Sequence, residues 1–208
     1  MFISRTRVTL AGTGIAVALL IAGCSSTSGG SAAGTTTAMA GMPGTSQSSS
    51  TPTAPTRTDF NDADVTFLQM MYPHHAQAVA MAKMVPSRSQ NQQLIALAAN
   101  IEKAQAPEMA QFAALLHSFG KPAPSATMDH PMNGVMSQDQ MTALQNSTGG
   151  AFDTMWLKMM IEHHQGAVTM SNTELANGVN PDAKTLAHTI ITGQQAEIQQ
   201  MQGMLAQH

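Results

Sequence analysis

The chain has 208 residues, a formal net charge of −3 and no run of basic residues, which is unfavourable for nucleic-acid binding, so we expect no nucleic-acid partner. A single cysteine allows no internal disulfide, and the lipidation expected for it below would leave His, Met, Asp and Glu as the side chains that could bind a metal. The chain has neither a glycine-rich phosphate loop nor a Gly-x-Ser-x-Gly motif, so no hydrolase or transferase site is indicated.

The first 23 residues have the pattern of an export signal. Arg5 and Arg7 form a short basic region, and the apolar run that follows, residues 8–22, is too short to span a bilayer comfortably. The run ends in Ile-Ala-Gly-Cys, which resembles the bacterial lipobox, where the cysteine is diacylated and becomes the mature N-terminus. We therefore expect residues 1–23 to be removed and lipidated Cys24 to hold the protein in the cell envelope, on the outer face of the cytoplasmic membrane. An uncleaved anchor helix is the alternative.

Residues 24–58 comprise this cysteine and a stretch dominated by Ser, Thr, Gly, Ala and Pro. Such a stretch buries too little apolar surface to offset the entropy of ordering, so it is predicted to be a disordered tether. The folded domain is predicted to span residues 59–208.

The predicted domain contains an internal duplication. A shift of 89 residues aligns 64–116 with 153–205 without a gap, and about 17 of these 53 positions are identical, His-His pairs included. We describe the copies as repeats 64–117 and 153–206, joined through a Met- and His-containing loop at 119–136.

Each repeat has the pattern of two helices. The first repeat predicts helices near 62–85 and 90–118, with a break at 86–89, and Pro73 should kink or unwind the first of them. In the second repeat, Asn177-Gly178 is typical of a helix end and Asn180-Pro181 of a helix start. A capping box at 137–140 predicts a short helix that Gly149-Gly150 would stop. Because no strand-like alternation occurs, the expected fold is all-α, a four-helix bundle built from two duplicated hairpins.

The paired histidines are the main candidates for a binding site. Helical periodicity turns His74, His75, His163 and His164 at least partly towards the bundle interior, with His74 and His163 nearest its centre. Glu108 and Glu197 fall on the inward faces of the partner helices, where a carboxylate is costly without a cation or strong donors. The glutamates would orient the imidazoles or bind a metal themselves. The alternative is a polar layer without metal that fixes helix register.

Several methionines accompany these histidines. Most are expected to be packing residues, and the candidate thioether ligands are Met70, Met81, Met159 and Met170. A second candidate cluster lies in the loop between the repeats and contains Met128, His130, Met132 and Met136; an ordinary loop is the alternative. Imidazole with thioether favours copper, whereas imidazole with carboxylate favours zinc, iron or manganese.

The repeated pattern D…F/W-L…M-M…H-H…A-V…M, followed by Q…E…Q, resembles a family of exported bacterial proteins with a ferritin-like domain of unknown function. The resemblance covers roughly residues 59–207. Some members of that family are periplasmic copper-binding proteins linked to copper resistance, which implies envelope metal handling by the paired histidines and their flanking methionines. Neither repeat has the Glu-x-x-His pair of di-iron ferritin-like enzymes, so iron and oxygen chemistry is not implied.

The function expected from these patterns is binding of a transition metal, copper first, for metal homeostasis or tolerance at the cell envelope. A redox enzyme with a metal in the bundle core is the second hypothesis, and a structural or interaction module without metal is the third. The sequence leaves homo-oligomerisation open.

The lipobox yields a direct prediction. A Cys24→Ala variant should stay unprocessed and lose lipid labelling, because the only sulfur that can carry the lipid is gone. Metabolic labelling with a radioactive fatty acid, followed by membrane fractionation, measures both effects. A variant that labels and fractionates like the wild type would contradict the assignment.

Overall fold

The computed structural model describes residues 57–127 and 132–207, so the signal peptide, Cys24 and residues 24–56 of the tether lie outside the described residues. Within the described ranges the chain forms five helices and no strand, which confirms the all-α prediction. They are α1 (Asp62–Arg88), α2 (Gln92–Ser118), α3 (Gln138–Asn146), α4 (Gly149–Asn177) and α5 (Pro181–Leu205).

The second helix of each repeat begins with a side-chain cap at an aligned position. Asn91 caps α2 and Asn180 caps α5, and these two residues are aligned and identical in the repeats. Each side chain accepts hydrogen bonds from two backbone N–H groups that have no partner inside the helix. The predicted capping box at Ser137 and Gln140 also forms at the start of α3. Local sequence therefore determines where these helices start.

The course of α1 differs from the prediction at its prolines. The helix is continuous from Asp62 to Arg88, with both Pro73 and Pro86 inside it, so the expectation that Pro73 might unwind it is wrong. An internal proline removes one backbone hydrogen bond. Pro73 is itself buried, and α1 packs against both α2 and α4 along its length, which supports the helix through that loss.

The two glycines between the short helix and the second repeat also differ from expectation. The short helix α3 ends at Asn146, and Gly149-Gly150 are the first residues of α4 instead of the stop signal for α3. Gly149 has a φ of 61°, a conformation that favours glycine at this change of chain direction.

The four long helices form the bundle of two hairpins that the duplication predicts. Helix α1 packs along α2, α4 packs along α5, and the hairpins meet mainly through α1 and α4. We call this antiparallel contact the α1–α4 seam. At one end of the seam the Trp156 indole N–H donates to the Met81 carbonyl (2.9 Å), and at the other the Asn61 side chain donates to the Asn177 carbonyl (2.8 Å). No helix among the described residues is both long and apolar enough to cross a bilayer.

A buried pair of carboxyl groups lies at the Asn61–Asn177 end of the seam. Asp64 is fully buried and accepts the N–H groups of Val179 and Asn180 at 3.1 and 2.9 Å, which ties α1 to the turn between α4 and α5. Glu174 is only 1% exposed and faces Asp64. Burial, reinforced by the neighbouring Asp64, raises the pKa of Glu174 to about 8. Glu174 is therefore protonated in the folded protein at neutral pH.

This raised pKa predicts how stability depends on pH. An unfolded glutamate loses its proton near its ordinary pKa of 4.5, whereas folded Glu174 keeps its proton up to about pH 8. The unfolded state therefore binds fewer protons across this window, and the free energy of unfolding should fall as the pH rises from 4.5 to 8. Glu174→Gln should flatten this fall, measured by urea denaturation at several pH values.

The matched control is Glu162→Gln, because Glu162 is exposed on the same helix. This control should keep the pH dependence of the wild type. An alkaline loss of stability that is as steep in Glu174→Gln as in the wild type would show that Glu174 does not cause it.

Candidate metal centre

His74 and His163 meet at the middle of the α1–α4 seam. Both residues are fully buried, and their ring centroids are 3.8 Å apart with an angle of 45° between the ring planes. The two residues occupy aligned positions in the repeats, so the pseudo-twofold relation between the hairpins places them opposite each other. The structure thus brings together the two histidines that periodicity placed nearest the bundle centre.

The second histidine of each pair turns towards its own hairpin partner, because neighbouring residues on a helix diverge by about 100°. The Nε2 atom of His75 lies 2.8 Å from a carboxylate oxygen of Glu108 on α2, and the Nε2 atom of His164 lies 2.7 Å from Glu197 on α5. The glutamate side chains are 14% and 19% exposed, whereas both imidazoles are fully buried. Each glutamate therefore links a buried imidazole to the protein surface.

These two contacts determine which ring nitrogen is free. An ionised carboxylate only accepts hydrogen bonds, so Nε2 of His75 and of His164 must carry the donated proton. In a neutral imidazole the proton on Nε2 leaves a lone pair on Nδ1. A carboxylate that accepts a hydrogen bond from one ring nitrogen commonly orients a metal-binding histidine.

Six imidazole nitrogens form no hydrogen bond of ordinary geometry with residues 57–127 and 132–207, although the Asn133 backbone lies near the His74 ring. They are both ring nitrogens of His74, both of His163, and Nδ1 of His75 and of His164. We call these six atoms the orphan nitrogens. Buried polar atoms in native proteins are nearly always paired, and an unpaired one costs about 1–3 kcal/mol. So many at one place are typical of a site that a ligand completes.

Burial keeps the imidazoles neutral. It lowers the pKa of His74 to about 3, and the neighbouring histidines lower it further. Burial likewise lowers the pKa of His163 well below its ordinary value, with His74 as the next cause. The pKa of His75 is also lowered by burial, although Glu108 opposes the shift. Neutral imidazole is the form that binds metal ions, so these rings need lose no proton to do so at neutral pH.

Two glutamines extend the polar centre in a way that periodicity alone did not single out. Gln105 and Gln194 are 2% and 4% exposed, and neither side-chain amide has a hydrogen-bond partner within the described ranges. They lie one turn before Glu108 and Glu197 on the same helices. One sequence feature could have identified them: both repeats have a glutamine at this aligned position. A single glutamine gives no indication of burial.

The loop between the repeats packs directly beside the histidine pair. The Gln77 side chain holds Met136 by two hydrogen bonds, donating to its carbonyl (2.8 Å) and accepting from its N–H (2.7 Å). On the other side of the seam, the Asn133 carbonyl lies against Gly166, where a Cβ would come within 2.1 Å of it. Gly166 therefore leaves room for the loop, and its aligned residue in the first repeat is Gln77.

The structure describes only two residues of the second cluster predicted from the sequence, so this cluster stays a prediction. Met136 is 4% exposed and packs in a hydrophobic cluster, and Met132 is half-buried. Met128 and His130 lie outside the described residues.

The four flanking methionines divide into two environments. Met81 is fully buried and Met159 is 7% exposed, and both pack in the same apolar cluster as Trp156. Met70 and Met170 are half-buried and line a surface cavity. The repeat aligns Met70 with Met159 and Met81 with Met170, so the difference arises from tertiary packing.

The donor set suits a soft ion better than one that needs several oxygen ligands. Within the described ranges no three His, Cys, Asp or Glu side chains converge on a common point as a metal site would require. The paired imidazoles of His74 and His163, with their orphan nitrogens, do fit a metal of low coordination number. Copper accepts imidazole and, as Cu(I), thioether, so it fits these residues better than magnesium or calcium.

Comparison with known proteins agrees with the fold. The family model described as Domain of unknown function (DUF305) matches residues 64–205. A DUF305 fragment from Deinococcus radiodurans is 32% identical with a TM-score of 0.66, covering 71% of this chain and 98% of its own. A DUF305 protein from Streptomyces coelicolor is 27% identical with a TM-score of 0.65, covering 70% and 93%.

A third similar structure is that of CopM in its Cu(II)-bound form, which is 31% identical with a TM-score of 0.62 and covers 69% of this chain and 96% of its own. CopM has also been solved in Cu(I)-bound and Ag-bound forms. Among curated proteins, no sequence matches this chain.

The lowered imidazole pKa values predict acid sensitivity of the metal-free protein. Unfolded histidine takes up a proton near pH 6.5, whereas folded His74 does so only near pH 3. Below pH 6.5 the unfolded state binds more protons, so the free energy of unfolding should fall as the pH falls. His74→Leu/His163→Leu should lose less stability between pH 6.5 and 4.5, measured by urea denaturation.

The control pair is His117→Leu/His188→Leu, since both of these histidines are exposed. It should keep the acid dependence of the wild type. If the buried pair and the exposed pair have the same effect, the imidazoles at the seam are not held neutral.

Proposed function

The chain belongs to the family described as Domain of unknown function (DUF305), and on that premise we propose that it is a cell-envelope lipoprotein that binds copper between its two helical hairpins, for metal homeostasis or tolerance. The observation that supports this most strongly is the group of six orphan nitrogens at the α1–α4 seam.

His74 and His163 are the principal ligands in this proposal. They come from different hairpins, lie in contact, and offer four of the orphan nitrogens. Glu108 and Glu197 fix the tautomer of the neighbouring His75 and His164 rings, whose free Nδ1 atoms do not converge with the first pair on one point. Bound copper would supply redox activity and a preference for soft ligands. The apolar packing around the seam excludes water.

Copper is favoured over the other transition metals by two arguments. Zinc and iron sites are usually completed by further imidazole, thiolate or carboxylate ligands, and no such set of three converges in the described part of the chain. CopM, which is about 31% identical over most of the domain, has been solved with Cu(II), with Cu(I) and with Ag. Zinc and iron remain the metals to compare in binding experiments.

The placement at the membrane follows from the N-terminal sequence. The lipobox would attach Cys24 to lipid, and the Ser-, Thr- and Gly-rich residues 25–58 would let the domain move within reach of the membrane surface. A metal-binding domain in that position would meet copper as it crosses the envelope. Binding at neutral imidazoles releases no proton from His74 or His163, so the affinity should vary little with pH near neutrality.

The site makes a direct prediction about affinity. Replacing His74 and His163 with alanine should weaken Cu(I) binding by more than about tenfold, because both imidazole ligands at the seam are lost. Competition with a chromogenic Cu(I) chelator under anaerobic conditions measures the affinity. The matched control is His117→Ala/His188→Ala, which changes two exposed histidines and should leave the affinity unchanged.

Two other outcomes would favour the alternative functions. Metal that binds only the folded state must raise its melting temperature. A melting temperature unchanged by copper, zinc and iron would favour an interaction module, and catalytic turnover by the copper-loaded protein would favour a redox enzyme. Equal Cu(I) affinity in the two double variants would exclude the seam as the binding site.

A further inference from the structure

A surface cavity of about 430 Å³ lies along the α1–α4 seam, between the histidine pair and the Asn61–Asn177 end. Both hairpins line it. Met70 and Thr66 come from α1, and Met170 and Thr173 come from α4. The two methionines are half-buried, so their side chains are partly accessible to solvent. The cavity therefore presents thioether groups from both repeats to the surroundings.

The aligned methionines at the other end of the seam are more deeply buried. The repeat places Met159 where Met70 stands, and Met81 where Met170 stands. Met81 is fully buried and Met159 is 7% exposed, and the buried Trp156 indole donates to the Met81 carbonyl there. Of the four methionines that flank the histidine pairs, Met70 and Met170 are therefore the two that are partly accessible to solvent.

The chemistry of the cavity selects a class of ligand. Thioether sulfur is a soft donor that prefers Cu(I) and similar soft ions over hard cations. The carboxylate of Asp62 lies at the cavity rim and is exposed, which favours a cation over an anion. The cavity is also close to the buried site, since Met70 precedes His74 by four residues, or about one 5.4 Å turn of helix.

We propose that Met70 and Met170 form a separate thioether site for a soft monovalent cation, through which Cu(I) reaches the buried histidines. The destination of the metal rests on the proposed function, but the thioether site itself does not. The aligned Met81 and Met159 are packing residues of the apolar cluster. One end of the molecule is therefore the loading end, although the repeats are related by a pseudo-twofold.

The first test follows the methionine methyl groups. Full-length protein in detergent, labelled with ¹³C at the methionine methyls, is titrated with Ag(I), and the signals are assigned through single Met→Leu variants. The expected result is that the Met70 and Met170 signals shift at the first additions, while those of Met81 and Met159 do not. Equal shifts of all four signals, or no shift of the first two, would overturn the proposal.

The second test measures loading of the histidines. Met70→Leu/Met170→Leu should slow the rate at which Ag(I) perturbs the ¹⁵N signals of His74 and His163 by at least about tenfold. Leucine is similar in volume to methionine, so the packing should be kept. Met81→Leu/Met159→Leu is the matched control and should load at the rate of the wild type. If the first double variant loads as fast as this control, the route is wrong.

A third variant separates this proposal from the function itself. In His74→Ala/His163→Ala the Met70 and Met170 methyl signals should still shift with Ag(I), because the thioether site does not need the histidines. Failure of that shift would overturn the thioether site. If these methyl signals shift in the wild type but the histidine signals never do, the seam site fails and the thioether site stands.

Discussion

Four imidazoles are buried where α1 crosses α4, and the polar contacts at the centre of the bundle are organised around them. Two of them face each other across the seam, and the other two reach a glutamate on their own hairpin. A buried ring nitrogen without a partner destabilises the folded protein, so the metal-free bundle is less stable than an apolar seam would make it. The same nitrogens would favour metal binding, because their desolvation free energy is part of folding and does not reduce the binding free energy.

Duplication explains why the site has twofold character, and the connecting loop explains where that symmetry fails. The His-Glu contact recurs with the same separation of 33 residues in both hairpins. At the aligned positions Gln77 and Gly166, however, one repeat holds the loop and the other makes room for it. A single connection between two equal halves cannot contact both of them in the same way. The asymmetry therefore follows from chain connectivity and not from divergence of the histidine motif.

The sequence was informative where local geometry decides the outcome. The constant offset of 89 residues placed His74 opposite His163, and periodicity placed Glu108 on the inward face of its helix. Asparagine at the helix starts was equally readable, because a cap involves only neighbouring residues. Periodicity could not distinguish Met70 from Met159, since their environments depend on how the two hairpins and the loop pack together.

Most contacts within each hairpin are local in sequence, whereas the α1–α4 seam joins residues that are 75 to 116 positions apart. Local contacts form first in small helical proteins, so each hairpin can form before the two dock. The imidazoles leave water only at that docking step. A ligand held at the seam consequently stabilises contacts that arise late in folding, and it slows unfolding far more than it accelerates folding. The bound form would therefore gain kinetic persistence and release its ligand only slowly.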